Sequence, residues 1–221
     1  ATHGIDVVKI DLDAQFRCGG SEEYLVWVKR LLGLTPGGPT EWLGDPHFDV
    51  EVVDSPYEME AYLATKLEGG YSARMAAGYC WPWSDPRPDG SLVSDVRIGE
   101  WAKPWNLKGD RAIGGAPAAA LWATDPAGFG QVGCVYTAQG FEYDYAGVIL
   151  GPDLVWRDGR WVAVRAANKD PDFRNRTTVS DADFDRLVRN VYKVLLTRGM
   201  RGVAILSTDP KTHDHLRRLA T

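Results

Sequence analysis

Ala146-Gly-Val-Ile-Leu150 and Gly202-Val-Ala-Ile-Leu206 are the two stretches on which the fold turns. Both are short, almost wholly apolar runs rich in β-branched residues, the pattern of strands covered on both faces, as in a parallel sheet. Between them Ser180-Asp-Ala-Asp183 opens a helix with Phe184, Leu187, Val188, Val191, Val194 and Leu195 at helical spacing, and Gly199 closes it. Outward along the chain the alternation repeats. Ser21 caps a helix over 22–32, 48–53 reads as a strand, 56–67 as a helix, 73–80 and 131–136 as strands, and a short helix ends the chain. A first strand is expected over 5–12. Strand and helix in turn imply an α/β fold, a mainly parallel sheet with helices on both faces. Asp158-Gly159 between the apolar arms 154–157 and 160–164 adds a β-hairpin.

Composition sets the outer limits. With 221 residues, 44% of them hydrophobic, the chain can bury a full core and fits a single domain over 1–221. The Trp- and Pro-rich stretch of about 81–128 reads as an irregular insertion. There Tyr79, Trp81, Trp83, Trp101 and Trp105 are read first as pins holding loops to the core, and second as platforms for unpaired bases. A net charge of −5 argues against a general electrostatic hold on nucleic acid. Arg165, Lys169, Arg174 and Arg176 form a local basic run, interrupted by Asp170 and Asp172. Cys18, Cys80 and Cys134 lack paired metal-ligand spacing, and no stretch reaches the roughly 18 apolar residues of a membrane span. We therefore expect reduced, mostly buried cysteines in a cytoplasmic protein. His3, His47, His213 and His215 have no metal-binding spacing, no metal site is expected, and the last two are placed on an exposed terminal helix.

Three segments carry chemistry. Leu12-Asp-Ala-Gln-Phe-Arg17 ends the first strand, Val135-Tyr-Thr-Ala-Gln-Gly-Phe-Glu-Tyr143 is a turn between strands, and Asn190-Val-Tyr-Lys-Val-Leu-Leu-Thr-Arg-Gly199 ends the long helix. In type and order they resemble motifs of the second RecA-like (P-loop NTPase-type) domain of superfamily 1 helicases. The closer likeness is to a Schlafen-grouped, DNA/RNA helicase-like family with the same Gln-Phe-Arg, Tyr-Thr-Ala-Gln-Gly-Phe-Glu and Leu-Leu-Thr-Arg-Gly segments. The resemblance implies that Arg17 and Arg198 reach the terminal phosphate of ATP, and that Gln15, Gly140 and Glu142 belong to the nucleotide site. It also implies that Thr137 and Gln139 face single-stranded DNA or RNA, with Gly140 allowing a tight turn. Gln139 stands where many superfamily members have Lys, and Phe141-Glu-Tyr143 where they have Leu-Glu-Phe.

Simpler roles exist for the same residues: a surface ion pair for Arg17, a charge at a helix end for Arg198, a turn cap for Glu142. No G-x-x-x-x-G-K-[ST] loop is present, and no strand ends in an Asp-Glu pair to hold Mg²⁺. ATP and Mg²⁺ are therefore expected to be bound mainly by a separate N-terminal RecA-like domain, this stretch alone being inactive. The start of the sequence, apolar at once and without a polar leader, fits a piece of something longer. A second reading is a non-catalytic nucleotide- or partner-binding module of a defence or regulatory protein. Gly128-Phe-Gly-Gln-Val-Gly133 matches a dinucleotide fingerprint only in letters, since a strand follows where a helix is required.

Overall fold

The apolar runs join into one sheet in the computed structural model, which describes residues 17–220. The strand expected over 5–12, and Gln15, lie outside the described residues. In chain order the strands are β1 (Asp49–Val52), β2 (Ala73–Ala77), β3 (Val96–Ile98), β4 (Trp101–Lys103), β5 (Val132–Gly133), β6 (Tyr143–Leu150), β7 (Leu154–Arg157), β8 (Arg160–Ala163) and β9 (Gly199–Ser207). The helices are α1 (Glu22–Leu31), α2 (Pro56–Glu68), α3 (Val135–Ala138), α4 (Asp181–Leu196) and α5 (Pro210–Ala220). Five strands pair in parallel in the order β1-β9-β6-β2-β5. This is an α/β, RecA-like arrangement.

Alternation along the central strands divides the core in two, because successive side chains leave a strand on opposite faces. Ala146, Val148 and Leu150 of β6, with Val203 and Ile205 of β9, pack with Val28 of α1, Val188 and Leu195 of α4, and Leu216 of α5. Ile149, Ala204 and Leu206 point the other way, onto Met59 and Leu63 of α2 and onto Val96, Trp101 and Trp105. Ser21, Ser55 and Ser180 each cap a helix by accepting a backbone N–H at 3.1 Å. The hairpin expected at Asp158-Gly159 is β7–β8, with both turn residues in the left-handed region (φ 49° and 76°).

Four expectations are corrected. The strand expected over 73–80 stops at Ala77; Gly78 still donates to Ile149 O at 3.2 Å, and its missing Cβ leaves room for the Tyr192 hydroxyl, 1.9 Å from where that atom would lie. The strand expected over 131–136 shrinks to Val132–Gly133. From Cys134 the chain instead winds into α3, closed by Ala138 N–H donating to Cys134 O at 2.8 Å. The stretch 81–128 contains an ordered hairpin, β3–β4, and its indoles are hydrogen-bonded: Trp81 to Arg97 O, Trp83 to Asn106 O, Trp101 to Glu60 and Trp105 to Pro82 O. The pinning role of these aromatics is the one observed. Finally, His215 is buried, stacked on Trp156 at 3.8 Å with an interplanar angle of 5°.

Burial, and then the charge of Arg218, push His215 down to about 4 from its ordinary 6.5. The folded chain therefore resists a proton that the unfolded chain accepts. Stability is full above about pH 6.5 and falls as pH drops toward 4. In thermal melts, His215→Phe should flatten the decline between pH 6.5 and 5 relative to wild type; parallel curves would remove His215 as its source.

Candidate functional site

Two of the segments singled out in the sequence are brought side by side by the pairing of β6 with β9. Tyr143 is in register with Gly199, and its N–H donates to Arg198 O at 3.3 Å, so Glu142 and Arg198 both stand at the edge where these strands begin. Between Tyr143 and Tyr145 the register slips: Tyr145 pairs with Gly202, and Met200–Arg201 bulge. Bulges of this kind re-aim the chain beside functional sites. The bulge receives the third segment. A Cβ on Gly19 would lie 2.7 Å from Met200 O, so only glycine allows the turn 17–20 to seat there. Arg17 thereby reaches Glu142, with Nε 3.7 Å from Oε1.

The two arginines are held differently. Arg17 is half-exposed, and its contact with the half-exposed Glu142 is the surface ion pair that its bland reading anticipates. Pairs of this kind contribute about 0–1 kcal/mol and exchange partners at little cost. Arg198 is only 2% exposed, unlike a charge decorating a helix end. Its Nε donates to Val194 O at 3.0 Å, and its Nη1 donates to Gln139 O at 3.0 Å and Phe141 O at 3.4 Å. Burial, and next the charge of Arg17, lower its pKa from the usual arginine value. The guanidinium thus ties the last turn of α4 to the turn carrying Gln139, Gly140 and Glu142.

Gln139 and Gly140 are exposed. Gly140 is not in the left-handed region, and a Cβ there would meet nothing within 4 Å, so neither backbone geometry nor internal packing requires glycine. The tight turn expected to need it forms without positive φ. Thr137 is half-buried, and its hydroxyl donates to Asn106 Oδ1 at 3.0 Å. Cys18 is buried beside the arginines in a left-handed conformation (φ 54°), and its thiol is pushed up to about 12 by burial, outweighing the opposing pull of Arg198 and Arg17. Such a thiol is a poor nucleophile. All three cysteines are free and buried.

Other candidates resolve into structure. Arg165 donates to Phe173 O, Val179 O, Ser180 O and Asp181, which removes it from the basic run; Lys169 and Arg174 stay on the surface loop. The glycines at 128 and 133 make room for Trp122: a Cβ on either would come within 2.0 and 2.4 Å of it. Sequence reading overlooked Arg74, 3% exposed inside β2, which donates to the carbonyls of Trp122, Ala73 and Asp125. An arginine inside Ala73-Arg-Met-Ala-Ala77 was the available signal. Among the described residues no group of three or more His, Cys, Asp or Glu is arranged to hold a metal ion, and no helix is long and apolar enough to cross a membrane.

A parallel α/β sheet with this motif set at the opening of β6 and β9 defines a helicase-like domain. Residues 1–209 match the Schlafen group 3 DNA/RNA helicase domain, and the chain belongs to that family. It is 27% identical over 224 residues to the uncharacterized protein YPL245W of Saccharomyces cerevisiae, covering 94% of this chain and 47% of that protein. The chain thus spans about half the length of that relative. No solved structure matches it.

The contrast between the arginines has a direct consequence for stability. Arg198→Ala removes a buried side chain and its hydrogen bonds to Val194 O, Gln139 O and Phe141 O, and should cost about 2–4 kcal/mol. Arg17→Ala, which removes a half-exposed side chain, should cost less than Arg198→Ala. Denaturant unfolding of both variants checks this; equal losses would contradict the assigned roles.

Proposed function

We propose that the chain is the second motor domain of an NTP-dependent DNA/RNA helicase or translocase, lending one wall of an ATP site to a separate RecA-like domain. The observation that carries the reading is the meeting of Arg17, Glu142 and Arg198, far apart in sequence, at the opening of β6 and β9. The family match to a helicase domain supports it.

Phosphoryl transfer spreads negative charge over the equatorial phosphate oxygens, and ATP with Mg²⁺ supplies that chemistry once held by the phosphate loop of the other domain. What this chain offers is complementary. Arg17, half-exposed and ion-paired with Glu142, exchanges that carboxylate for a phosphate when the domains close. Glu142, released, is placed for the sugar hydroxyls. Arg198 stands behind and holds the turn in position, its charge adding to the positive potential. Gly140 presents open backbone for close approach, and Thr137 and Gln139 lie on the same segment, toward single-stranded DNA or RNA. Mg²⁺, like the phosphate loop, is assigned to the partner domain.

One observation favours the alternative, a non-catalytic nucleotide- or partner-binding module: Arg198 is buried and engaged with carbonyls, where a phosphate sensor must reach solvent. The two readings separate on turnover. In the full-length protein Arg17→Ala should leave the fold intact and reduce nucleic-acid-stimulated ATP hydrolysis about 10³-fold or more. Turnover within tenfold of wild type would overturn the motor reading.

Gly140→Ala provides a second test. Stability should stay within about 0.5 kcal/mol of wild type, as for other surface changes, while ATP or strand affinity falls. Unchanged affinity for both would remove the turn from the binding surface.

A further inference from the structure

Across the Thr137–Asn106 hydrogen bond from the Gln139–Glu142 turn, the insertion encloses a cavity of about 260 Å³. Its walls are mainly apolar: Trp83, Trp105, Leu92, Val93, Leu107 and Ile113. The two indoles stand 5.6 Å apart at 34°, each fixed through its N–H, Trp105 to Pro82 O at 2.7 Å and Trp83 to Asn106 O at 3.1 Å. The cavity is preformed, because its loops are locked together. Gly114, in the left-handed region at φ 57°, packs so closely that a Cβ would lie 2.1 Å from Gly90 O, and Ile113 exchanges two backbone hydrogen bonds with Ala116. Ile113, 39% exposed, stands at the mouth.

We propose that this cavity seats one unstacked base of the single strand, a site that rests on the nucleic-acid reading given above. Four features select a base. The volume lies just below the roughly 300–1,000 Å³ of sites for drug-sized ligands, which suits a single ring system. Trp83, partly exposed and backed by the buried Trp105, gives a rigid aromatic surface for stacking, which every base accepts. Lys108, whose Nζ donates to Trp83 O at 2.7 Å and lies 5.3 Å above the Trp83 ring and 3.7 Å from the exposed Asp85, places a cation at the rim within reach of a phosphate. Asn106, lining the cavity, is bonded to Thr137, so the base site is continuous with the segment assigned to the strand. Aromatics that pin the insertion thus also build its binding surface.

The test uses full-length protein and two fluorescent single-stranded oligonucleotides, oligothymidylate and the same backbone with abasic sites. Ile113→Glu and Val93→Glu close the cavity from its mouth and its wall, and thermal melts show whether each variant remains folded. Wild type should bind oligothymidylate more tightly than the abasic strand. Both variants should lose about fivefold to a hundredfold in affinity for oligothymidylate, and with it that preference. If wild type binds the strand and both folded variants match it, the cavity is not a base site, as would hold for a pocket receiving an apolar side chain of a protein partner. The nucleic-acid reading would then stand without it. If wild type binds neither oligonucleotide, that reading falls, and the base site falls with it.

Discussion

A buried guanidinium must be surrounded by acceptors, since an unpaired charge taken from water costs several kcal/mol. Arg198 meets that demand with backbone carbonyls alone: Val194 O in its own helix, Gln139 O and Phe141 O across the turn. The end of α4, the turn before β6 and the start of β9 are therefore fixed by one side chain. Everything assigned to the site follows from that knot. It sets Glu142 at the edge, opposes it to Arg17 on the turn seated over the β9 bulge, and leaves Gly140 exposed between them.

The same device occurs twice. Arg74, inside β2, is held by the carbonyls of Trp122, Ala73 and Asp125, and thereby anchors the end of the insertion to the sheet. Tyr143 lies under the influence of both guanidiniums, which partly offset the rise that burial imposes on its phenol. Carbonyl acceptors suit such positions, because they satisfy the N–H groups without burying a second charge beside the first. The insertion is likewise joined to α3, just ahead of the turn, through Asn106 and Thr137.

Much of the fold was legible in the sequence, for physical reasons that can be named. Apolar runs at 146–150 and 202–206 have one comfortable environment, a doubly covered sheet, and Ser21 and Ser180 have one common role before an amphipathic helix. Asp158-Gly159 suits a turn with two left-handed residues. The motif segments were legible as candidates, and so was their order. What could not be read was who touches whom. Nothing local distinguishes Arg17, half-exposed, from Arg198, buried; that difference arises when β6 and β9 pair. The short run after Gly133 carries strand-forming residues yet coils into α3, whose turn is closed by Ala138 N–H on Cys134 O, a contact that local propensity does not announce. His215 reads as a surface residue on a polar helix until the β7–β8 hairpin supplies Trp156 beneath it.

The central claim is that Arg17 belongs to a phosphate and that Arg198 holds the frame behind it. A structure of the full-length protein with ADP, Mg²⁺ and a planar fluoride mimic of the transferred phosphoryl group tests this most directly. The account predicts the Arg17 guanidinium within about 3.2 Å of a fluoride or phosphate oxygen, Glu142 released from it, and Arg198 still on its carbonyls. Arg17 still paired with Glu142 and remote from the nucleotide would contradict it.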